Sequence, residues 1–342
     1  MHLIALAGLG RSGTSTVFRA LTGLEPRSGR AEPRPGQLRL EDERLTRLSE
    51  LEGNKPPVYA ELVLWDVPGS PGQKGLGSDT VGTLRNADAV ALVLRGFADP
   101  FAMVAPTPGE EALSLIGELL LSDLSVIEGR LKRLEKEGRR EAEHTLLTKL
   151  KGSVEAEDLP AARSLPHRDA ALLSGYQLFA LKPLVLVLNL PEGASEETFP
   201  ALLETADSLG VPVVPMWAKI ETELLELDSD ERNEFRQGLR IGPPASLVML
   251  EAARDHLGVI SFFTVGSHEV RAWPIRKGTT AVEAAGKIHT DMEKGFIRAE
   301  VVPFEDVVAA GSTAKARGVI RREERGYEVR DGEVIQFLFS PP

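Results

Sequence analysis

Continuous apolar runs recur along the first two thirds of the chain, each bounded by glycine or by polar residues. Residues 2–7 (HLIALA) end at Gly8, Ala60–Trp65 ends at Asp66, and Ala89–Leu94 is unbroken Val, Ala and Leu. Two more follow at Leu184–Leu188 and Val211–Trp217. Runs without polar alternation suit parallel strands covered on both faces. Helical stretches separate several of them, the first predicted over residues 15–22. This alternation predicts an α/β fold with a mainly parallel sheet. Residues 25–36 (EPRSGRAEPRPG) hold Pro, Gly and Arg with almost no apolar content and read as a loop.

Between the third and fourth runs the pattern changes. Leu113, Leu120, Ile127 and Leu134 recur every seven residues, with Leu124 and Leu131 at the other seam position and Gly117 interrupting the first repeat. The charge-rich stretch Gly129–Glu143 reads as a helix tip and turn, and Ala142, Leu146, Leu150 and Val154 mark a returning helix. The spacing predicts an antiparallel helical hairpin over residues 109–165. Its charged solvent faces favour a projecting arm, against helices that simply cover the sheet. From about residue 265, short β-like runs replace the longer helices. Asp331-Gly332, between Tyr327–Arg330 and Val334–Phe339, is a hairpin signal.

Composition narrows the classes. The 342 residues are 42% apolar and suggest two or three domains. No run approaches the roughly 20 apolar residues that cross a bilayer, so no membrane partner is expected. Residues 2–7 lack the basic flank of a signal peptide, which points to the cytoplasm. There are no cysteines, which excludes disulfides, thiolate zinc sites and a Cys nucleophile. A net charge of −11 argues against whole-surface binding of nucleic acid.

The chemistry gathers at Gly8-Leu-Gly10-Arg11-Ser12-Gly13, between a strand and a helix. It fits the dinucleotide fingerprint GxGxxG. With Thr14 and Ser15 it equally fits a phosphate loop in which Thr replaces Lys. Both bind phosphate through backbone N–H groups at a helix N-terminus. The dinucleotide reading needs a second strand soon after the helix and an acid on the ribose, and residues 25–36 read as a loop instead. Asp66-Val-Pro-Gly69 at the end of one strand and Asn189-Leu-Pro-Glu192 at the end of another suit a P-loop domain. There Asp66 holds Mg²⁺ together with Ser15, and Asn189 and Glu192 read the base.

These residues resemble the YchF (Obg-like) subfamily of P-loop NTPases. Asn189-x-x-Glu192 matches its altered base-reading motif, and Trp217-Ala218-Lys219 looks like its last nucleotide box, with Trp where Ser is usual. Glu118–Leu124 resembles the start of its helical arm. Val270–Gly278 and His289–Glu300 are very close to its C-terminal TGS domain. The resemblance implies a P-loop domain over 1–105 and 176–264, an inserted coiled-coil arm over 106–175, and a β-grasp-like TGS domain over 265–342. It implies ATP or GTP with Mg²⁺, held by Gly8, Gly10, Arg11, Ser12, Gly13, Thr14, Ser15, Thr16, Asn189, Glu192, Ala218 and Lys219. It also implies work on the ribosome in translation, with RNA or ribosome met through the arm and the TGS domain.

Three departures bear on activity. Thr14 stands where the family's Lys bridges the β- and γ-phosphates, residues 25–36 contain no switch Thr, and Ser70–Lys74 follows Gly69. Arg11 is a candidate substitute for the lysine, and Gln73 a candidate for placing a water. The expectation is a nucleotide-binding protein whose hydrolysis is weak or lost, with no catalytic residue assigned. The alternative is a non-catalytic adaptor that keeps the P-loop domain as a scaffold. In the last domain, Arg271, Arg276, Lys277, Lys287, Lys294 and Arg298 interleave with acids, and His268 and His289 read as structural or surface residues.

Overall fold

The computed structural model describes residues 3–25, 32–69, 75–99, 105–138, 141–239, 241–256 and 258–340. Contacts divide the chain into two units. One comprises Leu3–Gly36 and Val63–Ala252, the other Gln37–Leu62 and Ala253–Pro342.

The chain opens with β1 (Leu3–Gly8), α1 (Thr14–Thr22), β2 (Arg34–Leu40), α2 (Glu43–Leu51), β3 (Pro57–Val58) and β4 (Ala60–Asp66). After α3 (Ser78–Arg85) and β5 (Ala89–Arg95) come the long α4 (Pro108–Glu137) and α5 (Glu141–Glu155). Short helices α6 (Leu159–Arg163) and α7 (His167–Leu173) lead to β6 (Leu184–Asn189), α8 (Pro200–Leu209) and β7 (Val213–Met216). Then follow α9 (Ala218–Leu224), α10 (Ser229–Leu239) and α11 (Ala245–His256).

The first sheet has the order β2-β4-β1-β5-β6-β7. From β4 to β7 every neighbouring pair is parallel. Each long apolar run of the sequence has become a strand, and β5 and β6 are buried along nearly their whole length. The loop expected over 25–36 is corrected at its end, because β2 begins at Arg34. Within β2 only Leu38 and Leu40 are buried apolar side chains, so its alternation is too short to stand out. Its place at the sheet edge tolerates Pro35. A strand therefore does follow α1, but β1 pairs with β4 and β5 and not with it. The sheet order, rather than a missing strand, removes the dinucleotide reading.

The insertion combines a part that covers the sheet with a helical pair. The first half of α4 buries Ala112, Leu115, Ile116 and Leu119 in the core and packs on β5 and α8. Its second half pairs with α5 through Ile127, Leu134, Leu147 and Leu150. Glu128 bonds Lys151 at 3.0 Å and Arg130 bonds Glu143 at 2.8 Å, so the two helices run antiparallel. The predicted seam needs correction at its ends. Leu113 and Ala142 are exposed and Leu146 only half-buried. Steps of four residues turn 400° on a helix of 3.6 residues per turn, so a 142-146-150 row drifts off the buried stripe. Leu147, Leu150 and Val154 keep to it. The tip is also shorter than expected, since α4 continues to Glu137 and is capped by Gly138 in the left-handed region.

The second unit holds β8 (Val259–Val265), β9 (Val270–Arg276), α12 (Ala281–Ile288), α13 (Thr290–Lys294), β10 (Phe296–Pro303), α14 (Phe304–Ala310), β11 (Arg321–Glu323) and β12 (Glu333–Phe339). Its sheet order is β11-β10-β12-β8-β9-β3. Counting from β8, the strands lie second-first-fifth-third-fourth, reading from β9 to β11. The first and fifth run parallel, and α12 packs on β9 and β10. This is the β-grasp arrangement. Thr280 and Glu283 start α12 with a reciprocal capping box.

The hairpin expected at Asp331-Gly332 is a turn only. Residues 327–330 form no strand, apart from one bridge of Glu328 to Thr280. β12 pairs instead with β10 and β8. Asp331 Oδ1 accepts from the Ser261 N–H at 2.9 Å, so the Asp serves tertiary packing.

Residues 37–62 fall with this unit, although the sequence reading placed them in 1–105. β3 adds to the outer edge of β9, pairing Pro57 with Val270. Arg44 bridges Asp42 and Asp331 at 2.7 and 2.8 Å. Glu52 accepts from both the backbone N–H and the hydroxyl of Thr313 at 2.7 Å.

Candidate nucleotide site

The carboxyl ends of the parallel strands line up: Leu6 pairs with Asp66, Gly8 with Val93, and Asn189 with both Arg95 and Met216. Along the chain the sheet grows from β1 to β4 on one side and from β5 to β7 on the other. Ligands of open α/β sheets bind at the crevice where the strand order reverses.

The loop between β1 and α1 occupies that crevice. Arg11 and Gly13 adopt positive φ, 72° and 87°. A Cβ at Gly13 would lie 2.2 Å from Asn189 Nδ2, so glycine is required there on two counts. Asn189 Nδ2 donates to the Ser12 carbonyl at 3.1 Å and fixes the loop from β6. The first N–H groups of α1, at Thr14, Ser15 and Thr16, have no partner inside their helix and face the crevice as an anion site does.

Ser15 Oγ donates to Asp66 Oδ2 at 3.1 Å. Burial raises the Asp66 carboxyl above its ordinary value, while the Ser15 bond and the charge of Arg34 pull it down. A hydroxyl and a carboxylate within hydrogen-bond distance are hard oxygen donors and fit Mg²⁺. Gly69 lies against the loop, since a Cβ there would sit 3.4 Å from the Gly8 carbonyl. Ser70–Lys74, with Gln73, lie outside the described residues.

Thr14 Oγ1 meets the buried Ser12 Oγ at 3.0 Å. The hydroxyl in place of lysine is turned into the loop and brings no charge. Arg11 does not take over that place, because its guanidinium bonds Asp99 at 2.8 Å.

On the base side, Asn189 is spent on the loop, while Glu192 is exposed. The Asn189–Glu192 turn is tied to β7 by the Leu190 N–H on the Met216 carbonyl at 2.8 Å. Trp217 Nε1 donates to Ala194 at 2.9 Å, which gives the unusual Trp a local role. Ala218 is buried at the start of α9. Lys219 is 86% exposed and 4.0 Å from Glu223. The structure thus gathers Gly8–Thr16, Asp66 and Asn189, while Ala218 is buried at the start of α9 and the Glu192 and Lys219 side chains stand in solvent.

Two residues of Glu118–Leu124, a segment matched in the sequence only to the start of the arm, hold positions the sequence did not assign. Glu118 of α4 accepts from the N–H groups of Leu76 and Gly77 at 2.8 and 2.9 Å and so pins the far end of the segment that begins at Asp66. A Cβ on Gly75 would come within 2.4 Å of that carboxylate. Asp123, fully buried, accepts from Arg85 and from the Ala180 N–H. In the second unit, His289 caps α13 by accepting from the Asp291 N–H at 3.2 Å, and Arg271 bonds Glu269 at 2.9 Å. Among the described residues, no helix is long and apolar enough to cross a membrane.

Residues 259–340 match the family model YchF-GTPase_C, described as a protein of unknown function (DUF933). The chain is 33% identical over 362 residues to the "Ribosome-binding ATPase YchF" of Bacillus subtilis, with 98% of each chain covered. It is 33% identical over 357 residues to the Escherichia coli O157:H7 protein of the same name, again with 98% of each covered. Among solved structures, the Schizosaccharomyces pombe YchF GTPase superposes with a TM-score of 0.84 at 24% identity, covering 98% of this chain and 97% of that one. A GTP-binding protein from Pyrococcus horikoshii gives a TM-score of 0.65 at 19% identity, covering 99% of this chain and 100% of that one.

Proposed function

Because the chain belongs to the YchF family of P-loop nucleotide-binding proteins, we propose that it binds a purine nucleotide, ATP or GTP with Mg²⁺, and acts on the ribosome in translation, in the cytoplasm, with hydrolysis weak or lost. The observation that carries the nucleotide reading is the fixed loop: Asn189 holds Ser12 while Ser15 and Asp66 converge at the start of α1. In this reading Gly8–Thr16 cradle the phosphates. Asn189, Glu192, Ala218 and Lys219 border the base, and Ser15 and Asp66 hold Mg²⁺. When bound, Mg²⁺ neutralises phosphate charge and orients the terminal phosphates. Apart from residues 37–62 and 253–264, which fall with the second unit, the P-loop domain is assigned to 1–105 and 176–264, the arm to 106–175 and the TGS domain to 265–342. Relatives named for ribosome binding support the partner, and the arm and TGS domain are the surfaces proposed to meet it.

Thr14 supports weak hydrolysis. Loss of a charge-assisted hydrogen bond costs about 1.5–3 kcal/mol in binding, and at least as much where charge develops on phosphoryl oxygens in the transition state. The bond between Thr14 and Ser12 also favours a second reading, an adaptor whose P-loop domain is only a scaffold.

Calorimetric titration with ATP, ADP, GTP and GDP in Mg²⁺, beside a Thr14→Lys variant, tests both. Micromolar binding by the unaltered protein, with turnover raised by lysine, is expected. No binding by the unaltered protein would sink the nucleotide reading and leave the adaptor.

A further inference from the structure

A cavity of about 740 Å³ opens in the second unit, between the start of β8, the end of β9 and the turn that leads into β12. Small-ligand sites span roughly 300–1,000 Å³. Backbone hydrogen bonds fix its walls. The Lys277 N–H donates to the Gly258 carbonyl at 2.8 Å, Val329 to Thr279 at 3.0 Å, and Gly332 to Ser261 at 2.8 Å.

Gly258, Gly278 and Gly326 line it. A Cβ built on any of them meets no atom within 4 Å, so the space lies directly over the backbone. Gly258 and Gly278 serve their positive φ of 63° and 89°. Gly326 has neither a positive φ nor a crowded Cβ. What its missing side chain provides is the opening itself.

The side chains give the cavity its chemistry. Ile260 and Val329 are buried and form an apolar floor. Tyr327 adds a half-buried ring whose hydroxyl is spent on Glu333. Lys277 and Arg330 are exposed, and neither makes an ion pair or side-chain hydrogen bond among the described residues. Two carboxylates also line the cavity. Asp331 is spent on Arg44 and the Ser261 N–H, while the exposed Glu328 side chain has no partner among the described residues. Lysine and arginine donate to phosphate oxygens. A carboxylate accepts from ribose hydroxyls. An aromatic ring over an apolar floor offers surface to a base.

We propose that this cavity is a second ligand site, for a nucleoside monophosphate. Lys277 and Arg330 hold the phosphate, Glu328 accepts from the ribose, and Ile260, Val329 and Tyr327 receive the base. The site belongs to the second unit, and the reading of the phosphate loop does not bear on it.

The full chain, labelled with ¹⁵N at glycine, is titrated with AMP, GMP, adenosine, inorganic phosphate and a short single-stranded RNA. A nucleoside monophosphate is expected to shift the amide signals of Gly258, Gly278 and Gly326, and to bind there more tightly than adenosine or phosphate. Lys277→Gln and Arg330→Gln should each weaken it about tenfold, the loss of one charge-assisted bond. Gly326→Leu should block it without removing a charge. Arg298→Gln, an exposed cation of β10, should match the unaltered protein. Should Gly326→Leu fold poorly, the two exposed cation variants carry the test. Shifts confined to Gly8, Gly10 and Gly13 would place the nucleotide at the phosphate loop and overturn the proposal. Unchanged affinity in both cation variants would overturn it too, as would tighter binding of the RNA at the three glycines, which would make RNA the ligand.

Discussion

Asn189 and Ser12 lie 177 positions apart, and the Asn189 amide donates to the Ser12 carbonyl at 3.1 Å. The bond is buried and ties the end of β6 to the phosphate loop. Asn189→Ala leaves that carbonyl unmatched, which costs about 1–3 kcal/mol. Urea denaturation should show the loss, and hydrogen exchange should quicken at residues 9–13. Unchanged exchange there would show that the loop holds its shape without β6.

Glu118 makes a comparable demand from the helical insertion. Glu118→Gln keeps the size but offers one acceptor oxygen to two N–H groups, at a cost of about 1–3 kcal/mol. The expected result is a lower Tm and faster exchange at residues 75–80. If the nucleotide reading holds, the variant should also bind Mg-ATP less well, because the segment from Asp66 to Gly77 loses its far anchor.

Asp123 has no exposed surface and pairs with Arg85 at 2.9 Å. Removing one partner of a buried pair costs about 3–5 kcal/mol, so Arg85→Ala should destabilise the protein by that order in denaturant. Burial raises the Asp123 carboxyl, opposed by the Ala180 and Phe179 N–H groups and by Arg85. A native state that holds its proton more tightly than the unfolded chain gains most below the unfolded value of about 3.9. That gain fades as pH rises through the raised native value. Asp123→Asn should remove this part of the pH slope, and an unchanged slope would place the titration elsewhere.

In the second unit, the Tyr327 hydroxyl donates to Glu333 Oε1 at 2.6 Å. Burial and that carboxylate push the phenol up to about 12. The native state therefore keeps the proton where the unfolded chain, near pH 10, has lost it. Stability falls as pH rises between those two values. Ultraviolet titration of Tyr327→Phe should lack a phenol that ionises near 12. Its presence in the variant would refute the assignment.

Legibility followed the range of each interaction. Ala89–Leu94 was readable because a strand buried on both faces needs no alternation. Asp66 and Asn189 were readable because each closes such a run. β2 was hidden because Leu38 and Leu40 are its only buried apolar side chains and Arg and Pro begin it. Glu118 and Asp123 were visible only as parts of the arm segment, since a charged residue on a helix does not name its partner, and their bonds to Leu76, Gly77 and Arg85 were not readable. Residues 37–62 looked like part of the first domain because nothing local in them points 200 positions onward, where Lys55 donates to the Gly266 carbonyl.

That last pairing has a consequence for synthesis. Arg44 meets Asp331 across 287 positions, within one compact unit. A ribosome adding 5–20 residues per second needs roughly 15–60 s to cover that distance. Throughout that interval α2 and β3 exist without the strand they pack against, β9. An isolated fragment starting at residue 258 would lack its edge strand and the Arg44 guanidinium that meets Asp331. Slowing translation within residues 63–258 should therefore lengthen the exposure of 37–62 to proteases and chaperones without changing the finished protein.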